Sequence, residues 1–364
     1  MHIHILGICG TFMGGIALIA KAMGHEVSGS DANVYPPMST QLEDAGIQVL
    51  DLGQIDAGIV THVGDVETGG PASHNVAIDT EREHMMTALE IHERVTGARP
   101  RGWYLGRCSP NSHRLAAEQR EATGALKDIS FDTISGSCPN GSIIHYRVSE
   151  ASDRTMRKGE LFLVDSGGQY LDGTTDITRT IALGDQPDER KDRFTRVLQG
   201  HIALASAVFP PDTSGYQLDI LARRPLWNAG LDYAHGTGHG VGTYLGVHEG
   251  PQSVAKKAPW VPLRPGMILS NEPGYYREGA FGIRIENLIV VREAPKIAGA
   301  DDRDQLAFET LTWVPIDTRL VDPALLSPGE REWLNAYHAE VREKIAPRVS
   351  DAAARWLEAA TRAI

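Results

Sequence analysis

The chain has 364 residues, which predicts two or three domains at about 150 residues per domain. Its 35 basic and 47 acidic residues give a net charge of −12 without a basic block, which argues against a nucleic-acid partner. With 41% apolar and 23% charged residues, the composition is that of a globular protein with an ordinary core, and it excludes a disordered chain.

Neither the cysteines nor the apolar stretches indicate export or membrane insertion. The three cysteines, Cys9, Cys108 and Cys138, are odd in number and far apart, which favours a reducing compartment over a disulfide framework. The uncharged stretch at 5–20 is shorter than the roughly 20 residues of a membrane helix, and no basic residue precedes it. We therefore expect a cytoplasmic protein without a membrane span.

The first fifty residues alternate predicted strands and helices. Strands are predicted at 2–6, 26–30 and 47–50, and helices at 16–23 and 39–44. This β-α-β-α-β order predicts that the chain begins with an α/β, Rossmann-like fragment over residues 1–50.

A glycine turn lies between the first strand and the first helix. Gly7, Gly10 and Gly14 would let the backbone approach a phosphate at the helix N-terminus, and Asp31 follows the second strand. The spacing differs from G-x-G-x-x-G, so a tight turn that binds no ligand remains the alternative.

The remaining residues divide into a join and a region of clear strand signals. Residues 51–120 contain one predicted helix, at 81–95, and we interpret them as a poorly defined join. From residue 121 onward, strands with turn residues alternate, a helix is predicted at 187–209, and the tail at 327–364 is predicted to be helical.

Two acidic residues flank a predicted hairpin turn. Asp165 ends a buried strand at 160–165, Asp176 begins the next strand at 176–181, and Asp172-Gly173 between them is predicted to form the turn. The turn lies close to the midpoint, so the two aspartates are predicted to be near cross-strand partners. Facing like charges about 5 Å apart destabilise a sheet unless a cation neutralises them.

The same pattern recurs about a hundred residues later in the sequence. Glu272 ends a strand at 267–272 and Glu286 ends a strand at 281–286, with Glu278-Gly279 at the midpoint. Glu272 and Glu286 are therefore a second predicted cross-strand pair. Glu278 and Asp172 themselves are interpreted as solvated turn residues.

The two acid pairs together predict a metal site. Buried like charges must be protonated or paired, and two divalent cations would cancel the charge of four carboxylates. The glycine-rich loop at 235–242 lies between the hairpins and would add an imidazole ligand. Mostly oxygen ligands with one imidazole favour Mn²⁺, with Zn²⁺, Co²⁺ or Fe²⁺ as alternatives. Two such ions would activate a hydroxide for hydrolysis. Any one of the acids alone would be interpreted as a surface charge.

Longer stretches from residue 121 to the end resemble the pita-bread metallopeptidases, and most closely the Xaa-Pro aminopeptidase (aminopeptidase P) family. The segments that carry the resemblance are 123–136, 172–180, 235–242, 311–317 and the helical tail at 327–364. The resemblance implies an α+β pita-bread (creatinase/aminopeptidase-like) catalytic domain over residues 121–364, about two-thirds of the chain.

The resemblance also implies roles for individual residues. The set that would bind two metal ions is Asp165, Asp176, His239, Glu272 and Glu286. Asp176 and Glu286 would bridge the ions, and Arg284 would support the ligands. His145, His235 and His248 would hold the substrate and shuttle protons, positions that spacing alone leaves ambiguous with structural histidines. Glu272 would also accept a proton, and His248 would stabilise the oxyanion.

The implied reaction is removal of the N-terminal residue from a peptide whose second residue is proline, by a hydroxide that two metal ions activate. The expected partners are therefore Xaa-Pro peptides. The expected oligomeric state is a homodimer. Cys138 has no histidine at a recognisable spacing, so we interpret it as a packing residue.

Residues 1–50, including 31–39, resemble a different family, the murein tripeptide ligases that act on UDP-N-acetylmuramate. That resemblance implies a UDP-sugar site at Gly7, Gly10 and Gly14. A ligase needs a Gly-Lys-Thr phosphate loop for ATP, and the sequence contains no Gly-Lys pair, so ligase activity is not expected. The alternative function is a catalytically impaired fusion that binds a UDP-sugar. A natural fusion and a composite of two reading frames both fit the sequence.

Overall fold

The computed structural model describes residues 2–6, 17–18, 20–31, 38–51, 120–121, 124–171, 173–242, 246–296, 298–299 and 301–364. These residues belong to two compact units, one within Met1–Thr68 and one within Gly69–Ile364. None of the helices in this part of the chain combines the length and hydrophobicity that a membrane crossing requires.

Several predictions fall outside the described residues. They concern the glycine turn of Gly7, Gly10 and Gly14, the helix at 81–95 and the turn residue Asp172. Because residues 52–119 are also outside, the division into 1–50, 51–120 and 121–364 stays a prediction.

The first unit contains a parallel three-stranded sheet. Its strands are β1 (His2–Leu6), β2 (Glu26–Asp31) and β3 (Gln48–Asp51), in that spatial order. Helix α1 (Met38–Asp44) connects β2 to β3, and residues 17–18 and 20–22 are helical. Parallel neighbours need such crossovers, and Ala17, Val27, Leu42 and Ile47 fill the small core between helices and sheet. This arrangement agrees with the predicted β-α-β-α-β order.

A three-stranded antiparallel sheet carries the first acidic hairpin of the second unit. Its order is β5 (Ile134–Ser137), β6 (Glu160–Ser166) and β9 (Ile177–Leu183). Every residue of β9 is buried, because both faces of the sheet are covered. A second small sheet contains β4 (Asp128–Ile129), β7 (Gly168–Tyr170) and β8 (Gly173–Thr174).

The described residues form three further antiparallel sheets, and the second acidic hairpin extends across two of them. One has the order β10 (Val208–Phe209), β17 (Leu306–Thr310), β16 (Asn287–Glu293) and β13 (Ile268–Asn271). The others are pairs, of β14 (Gly274–Arg277) with β15 (Phe281–Arg284) and of β11 (Gly238–His239) with β12 (Ser253–Val254).

Helices cover these sheets and close the core. They are α2 (Asp188–Ala205), α3 (Gly215–Trp227), α4 (Pro328–Ile345) and α5 (Asp351–Ala360), with short 3₁₀ turns at Asn140–Ser142, Glu150–Ser152, Thr318–Leu320 and Ala346–Arg348. Ser327 and Glu330 form a capping box that starts α4, with Pro328 at its first position. The main core joins Phe194 and Leu198 of α2 to Ile283 of β15 and Leu334 of α4.

The helix predicted at 187–209 is shorter than the sequence pattern indicated. It ends at Ala205, and Val208–Phe209 instead forms β10, which pairs with Ala307 and Leu306. Phe209 precedes Pro210, and a residue before proline is disfavoured in the helical conformation. The helical spacing of apolar residues therefore extends to Phe209, although the helix itself ends at Ala205.

Candidate metal centre

The first hairpin brings its two aspartates close together with an offset. Asp165 pairs with Thr178 across the β6–β9 ladder, so Asp176 lies two residues beyond the direct partner of Asp165. The β7–β8 ladder continues the same register, with Gln169 opposite Thr174, so the midpoint of the hairpin lies one residue beyond the midpoint of Asp165 and Asp176. The prediction of near cross-strand partners therefore holds, with an offset of two residues from direct pairing.

The second hairpin follows the predicted register. The β13–β16 ladder pairs Asn271 with Asn287, and the β14–β15 ladder pairs Gly274 with Arg284. Both ladders share one register, which places Glu272 opposite Glu286. Gly279 occupies the tip with a φ of 68°, a left-handed conformation that favours glycine.

The glycine-rich loop joins the second hairpin through its backbone. The Glu272 N–H donates to the Thr237 carbonyl at 2.8 Å. A Cβ at position 238 would lie 1.9 Å from the Ser270 carbonyl oxygen, so only glycine allows this approach. The close contact carries His239 to the acids of the hairpin.

The five predicted metal ligands converge on one cavity of about 430 Å³. Ligand atoms of Asp176, His239 and Glu286 all lie within 4.8 Å of one another. The His239 Nε2 is 3.4 Å from Asp176 Oδ2 and 3.5 Å from Glu272 Oε1. Asp165 Oδ1 is buried and has no hydrogen-bond partner among the described residues. A buried carboxylate oxygen without a donor suits a cation, so the donor set fits divalent metal.

Arg284 connects the acids of the two hairpins. Its Nη2 donates to Asp165 Oδ2 at 2.6 Å, and its Nη1 donates to the Tyr276 hydroxyl at 2.7 Å. Its Nε donates to Thr178 Oγ1 at 2.9 Å, and that hydroxyl donates to Glu286 Oε2 at 2.6 Å. The guanidinium, which is 2% exposed, therefore orients both carboxylates.

Thr178 and Tyr276 are site residues that sequence reasoning missed. Thr178 is the second residue of β9 and lies two positions after Asp176, which directly precedes that strand. Residues two apart in an extended segment face the same side. That periodicity was the available signal for Thr178. No signal of comparable strength pointed to Tyr276.

Burial and mutual repulsion perturb the acids of the centre. Burial raises the pKa of Asp176 to about 7. Burial also raises the pKa of Glu272, and burial with the charges of Asp176 and Glu272 raises the pKa of Glu286 well above its usual range. Each shift reports the cost of placing several negative charges in one buried cluster beside a single guanidinium.

His239 responds in the opposite sense. Burial lowers its pKa, but the hydrogen bond from His239 to Asp176 and the charge of Glu272 outweigh burial and raise the pKa to about 9. Imidazole binds a metal only when the ligating nitrogen is deprotonated, so metal binding would release a proton from this site.

Three further histidines line the same cavity. Burial and the nearby Arg284 lower the pKa of His235 to about 3, so its ring is neutral. His248 is exposed, and its ring centroid lies 4.3 Å from that of His239. His145 is also exposed at the cavity wall. The structure thus brings every predicted catalytic residue, including Glu272 and Arg284, to this cavity.

Comparison with family models gives three matches. Residues 83–293 match metallopeptidase family M24, and residues 304–364 match the C-terminal region of peptidase M24. Residues 2–91 match the Mur ligase family, catalytic domain. The two resemblances drawn from the sequence are confirmed at this level.

Curated relatives match the C-terminal two-thirds of the chain. Aminopeptidase P2 of Arabidopsis thaliana is 54% identical over 242 residues, which cover 66% of this chain and 34% of that protein. Aminopeptidase P1 of Lotus japonicus is 50% identical over 237 residues, which cover 65% and 36%. The chain therefore spans about a third of the length of these relatives.

Solved structures share the fold. X-prolyl aminopeptidase from Caenorhabditis elegans, described as a cytosolic enzyme with a di-nuclear active site, is 30% identical with a TM-score of 0.78, covering 98% of this chain and 57% of that one. X-Pro aminopeptidase from Thermotoga maritima MSB8 is 22% identical with a TM-score of 0.59, covering 84% and 77%. These likenesses confirm the predicted α+β pita-bread fold.

Proposed function

Because the chain belongs to metallopeptidase family M24, we propose that it is a metal-dependent aminopeptidase that removes the N-terminal residue from Xaa-Pro peptides. The observation that carries the proposal is the convergence of ligand atoms of Asp176, His239 and Glu286 within 4.8 Å of one another on the wall of a cavity of about 430 Å³. The name of the X-prolyl aminopeptidase from Caenorhabditis elegans supports the substrate class.

Five residues would hold two divalent ions, Asp165, Asp176, His239, Glu272 and Glu286. The family resemblance assigns Asp176 and Glu286 to both ions, and ligand atoms of these two acids cluster with His239 within 4.8 Å of one another. We propose Mn²⁺, with Zn²⁺ or Co²⁺ as alternatives, because oxygen ligands predominate. Bound ions would polarise the scissile carbonyl and lower the pKa of water.

Glu272 is the proposed general base. Its Oε1 lies 3.1 Å from the Ser270 hydroxyl, which donates to it and holds the carboxylate towards the cavity. Burial raises its pKa, and a general base works best when its pKa is near the working pH. Glu272 would thus take the proton from the attacking water.

The histidines would bind and orient the peptide. His235 Nδ1 lies 2.7 Å from the Gly236 carbonyl oxygen, which can only accept, so Nδ1 carries the hydrogen and Nε2 is left as an acceptor. His235 Nε2 would therefore accept a hydrogen bond from a substrate N–H. His248 would donate to the tetrahedral oxyanion, and His145 would carry a proton at the cavity mouth.

The competing hypothesis is a catalytically impaired fusion that binds a UDP-sugar through Gly7, Gly10 and Gly14. It is not favoured, because the proposed metal and catalytic residues are all present at one cavity. We also propose a cytoplasmic location, in line with the cytosolic enzyme from Caenorhabditis elegans. The homodimer remains a prediction.

The direct test compares two peptides that differ only at the second residue. Purified protein loaded with Mn²⁺ should release alanine from Ala-Pro-Ala much faster than from Ala-Ala-Ala, as measured by mass spectrometry of the products. The Asp165→Asn variant should lose the activity. Failure of the wild-type protein to cleave Ala-Pro-Ala, together with saturable binding of a UDP-sugar, would favour the competing hypothesis.

A further inference from the structure

A buried acid-base pair on α3 lies outside the set of proposed metal ligands. Asp219 and Arg223 are one helical turn apart and are only 3% and 1% exposed. The Arg223 Nε donates to Asp219 Oδ2 at 2.6 Å. A buried ion pair is tolerated only where its remaining donors and acceptors are satisfied, so the partners of this pair indicate what it holds in place.

The remaining donors of Arg223 hold the loop that carries His235. Its Nη1 donates to the Tyr233 carbonyl at 2.8 Å, and its Nη2 donates to the His235 carbonyl at 2.7 Å. The guanidinium also lies over the Tyr233 ring, 3.9 Å from the ring centroid. A rigid planar group that binds two carbonyls two residues apart fixes the backbone conformation between them.

The remaining oxygen of Asp219 holds Thr237. The Thr237 hydroxyl donates to Asp219 Oδ1 at 2.6 Å, since a carboxylate can only accept. The hydroxyl of Tyr233 must then be the donor in its 2.5 Å contact with Thr237 Oγ1. The hydrogen bonds therefore run in one direction, from the Tyr233 hydroxyl to Thr237 and from the Thr237 hydroxyl to Asp219.

Thr237 in turn holds the second acidic hairpin. Thr237 is fully buried, and in the sequence it is midway between His235 and His239. Its carbonyl accepts the Glu272 N–H at 2.8 Å, and its own N–H donates to the Val254 carbonyl at 2.8 Å. A single buried residue therefore links α3 to a backbone atom of Glu272.

We propose that Asp219, Arg223 and Thr237 are positioning residues that set the distance between the His235–His239 loop and Glu272. They contact neither the proposed ions nor the substrate, and they act through the residues that do. The inference rests on the proposed function, because it assigns these residues to the same centre. Partners of this kind typically change metal affinity or activity about 10- to 100-fold when removed.

The test removes the Thr237 hydroxyl without changing side-chain volume. Thr237→Val should weaken Mn²⁺ binding to metal-free protein at least about tenfold in isothermal titration calorimetry, and Thr237→Ser should retain wild-type affinity. The matched control is Thr195→Val. Thr195 is equally buried, and its hydroxyl donates to the Lys191 carbonyl and accepts the Asp322 N–H, away from the cavity. This control should lose stability without losing Mn²⁺ affinity.

The outcomes separate this inference from the proposed function. Wild-type affinity in a folded Thr237→Val protein would overturn the positioning role while leaving the peptidase intact. A wild-type protein that binds no Mn²⁺ and cleaves no Ala-Pro-Ala would overturn the proposed function itself. If Thr237→Val does not fold, Asp219→Asn replaces it, because the amide keeps the shape but cannot accept from both Arg223 and Thr237. That variant should also lose Mn²⁺ affinity, and unchanged affinity would overturn the inference.

Discussion

Two buried clusters of charge in the second unit differ in how their charges are balanced. Around Arg223, the guanidinium donates to Asp219, to Asp232 and to two carbonyls. Burial opposes ionisation of Asp232, but Lys256, the Tyr233 N–H and Arg223 lower its pKa to about 2. Around Arg284, four carboxylates share one guanidinium, and the pKa values of Asp176, Glu272 and Glu286 rise.

Burial alone does not distinguish the two clusters. Asp219 and Arg223 are as buried as Arg284, Asp176 and Glu286, so desolvation acts on both clusters, whereas Asp232 is exposed at the edge of the Arg223 cluster. The Arg223 cluster is complete within the protein, because each acid has a cation or an N–H beside it. In the Arg284 cluster, Arg284 and His239 do not balance four carboxylates, so bound protons complete the balance in the metal-free protein and divalent cations would replace those protons. Charge balance therefore distinguishes a structural cluster from a metal centre.

The largest expected effect comes from removing one acid of the unbalanced cluster. Glu286→Gln should lower kcat/KM for Ala-Pro-Ala by about 1000-fold or more, equivalent to about 4 kcal/mol, because a shared ligand and its charge are lost. The control is Glu278→Gln on the same hairpin, where the side chain is exposed at the turn. An unchanged rate for Glu286→Gln would remove this residue from the centre.

Removing the cation of the balanced cluster should instead affect stability. Arg223→Met leaves Asp219 buried without its cation and should lower the free energy of unfolding by about 3–5 kcal/mol. In metal-free protein, Glu286→Gln should change that free energy by less than about 1 kcal/mol, since burial and the neighbouring carboxylates already raise the pKa of Glu286 and disfavour its charged form. Urea unfolding of the metal-free variants measures both. Equal losses of unfolding free energy in the two variants would contradict the distinction between a balanced and an unbalanced cluster.

His338 shows a third way to bury a titratable group, because its ring is kept neutral instead of being paired with an opposite charge. His338 Nε2 accepts the Ile316 N–H at 3.1 Å, and burial with the charge of Arg179 lowers its pKa from 6.5 to about 3. The unfolded chain binds the proton more readily between these values. Stability is therefore full above pH 6.5 and is lost as the pH falls towards 3.

Between pH 7 and pH 4, the loss attributable to His338 should reach about 3 kcal/mol. His338→Gln keeps an acceptor for the Ile316 N–H but cannot titrate in this range. Urea unfolding of metal-free protein at several pH values should give a shallower dependence for His338→Gln than for wild type. Parallel pH profiles for the two proteins would contradict the assigned pKa.

The sequence predicted the second hairpin better than the first for a physical reason. The Glu272–Glu286 register is symmetric about Gly279, and the chain turns there without interruption. The β6–β9 and β7–β8 ladders share a register whose midpoint lies one residue beyond that of Asp165 and Asp176, so the two aspartates are offset by two residues from direct pairing. A turn signal locates the tip of a hairpin but not the exact midpoint that sets the register.

The supporting residues were less accessible to sequence reasoning. Helix α3 was not predicted, and it contains Pro225, which disrupts the pattern of a regular helix. The Thr237–Asp219 contact joins a loop residue to a helix residue 18 positions away, and neither residue type is unusual in its local pattern. The ligands could be found because several acids in apolar strands are improbable without a cation, whereas their supports become visible only in three dimensions.

The most direct measurement is anomalous diffraction at the manganese edge from crystals of the protein soaked in Mn²⁺. We expect two peaks in the cavity, in contact with Asp165, Asp176, His239, Glu272 and Glu286. The same soak of Glu286→Gln crystals should lose at least one of them. An absence of peaks in the wild-type cavity, or binding of Mn²⁺ only at surface acids, would contradict the central claim that the unbalanced cluster is a two-metal centre.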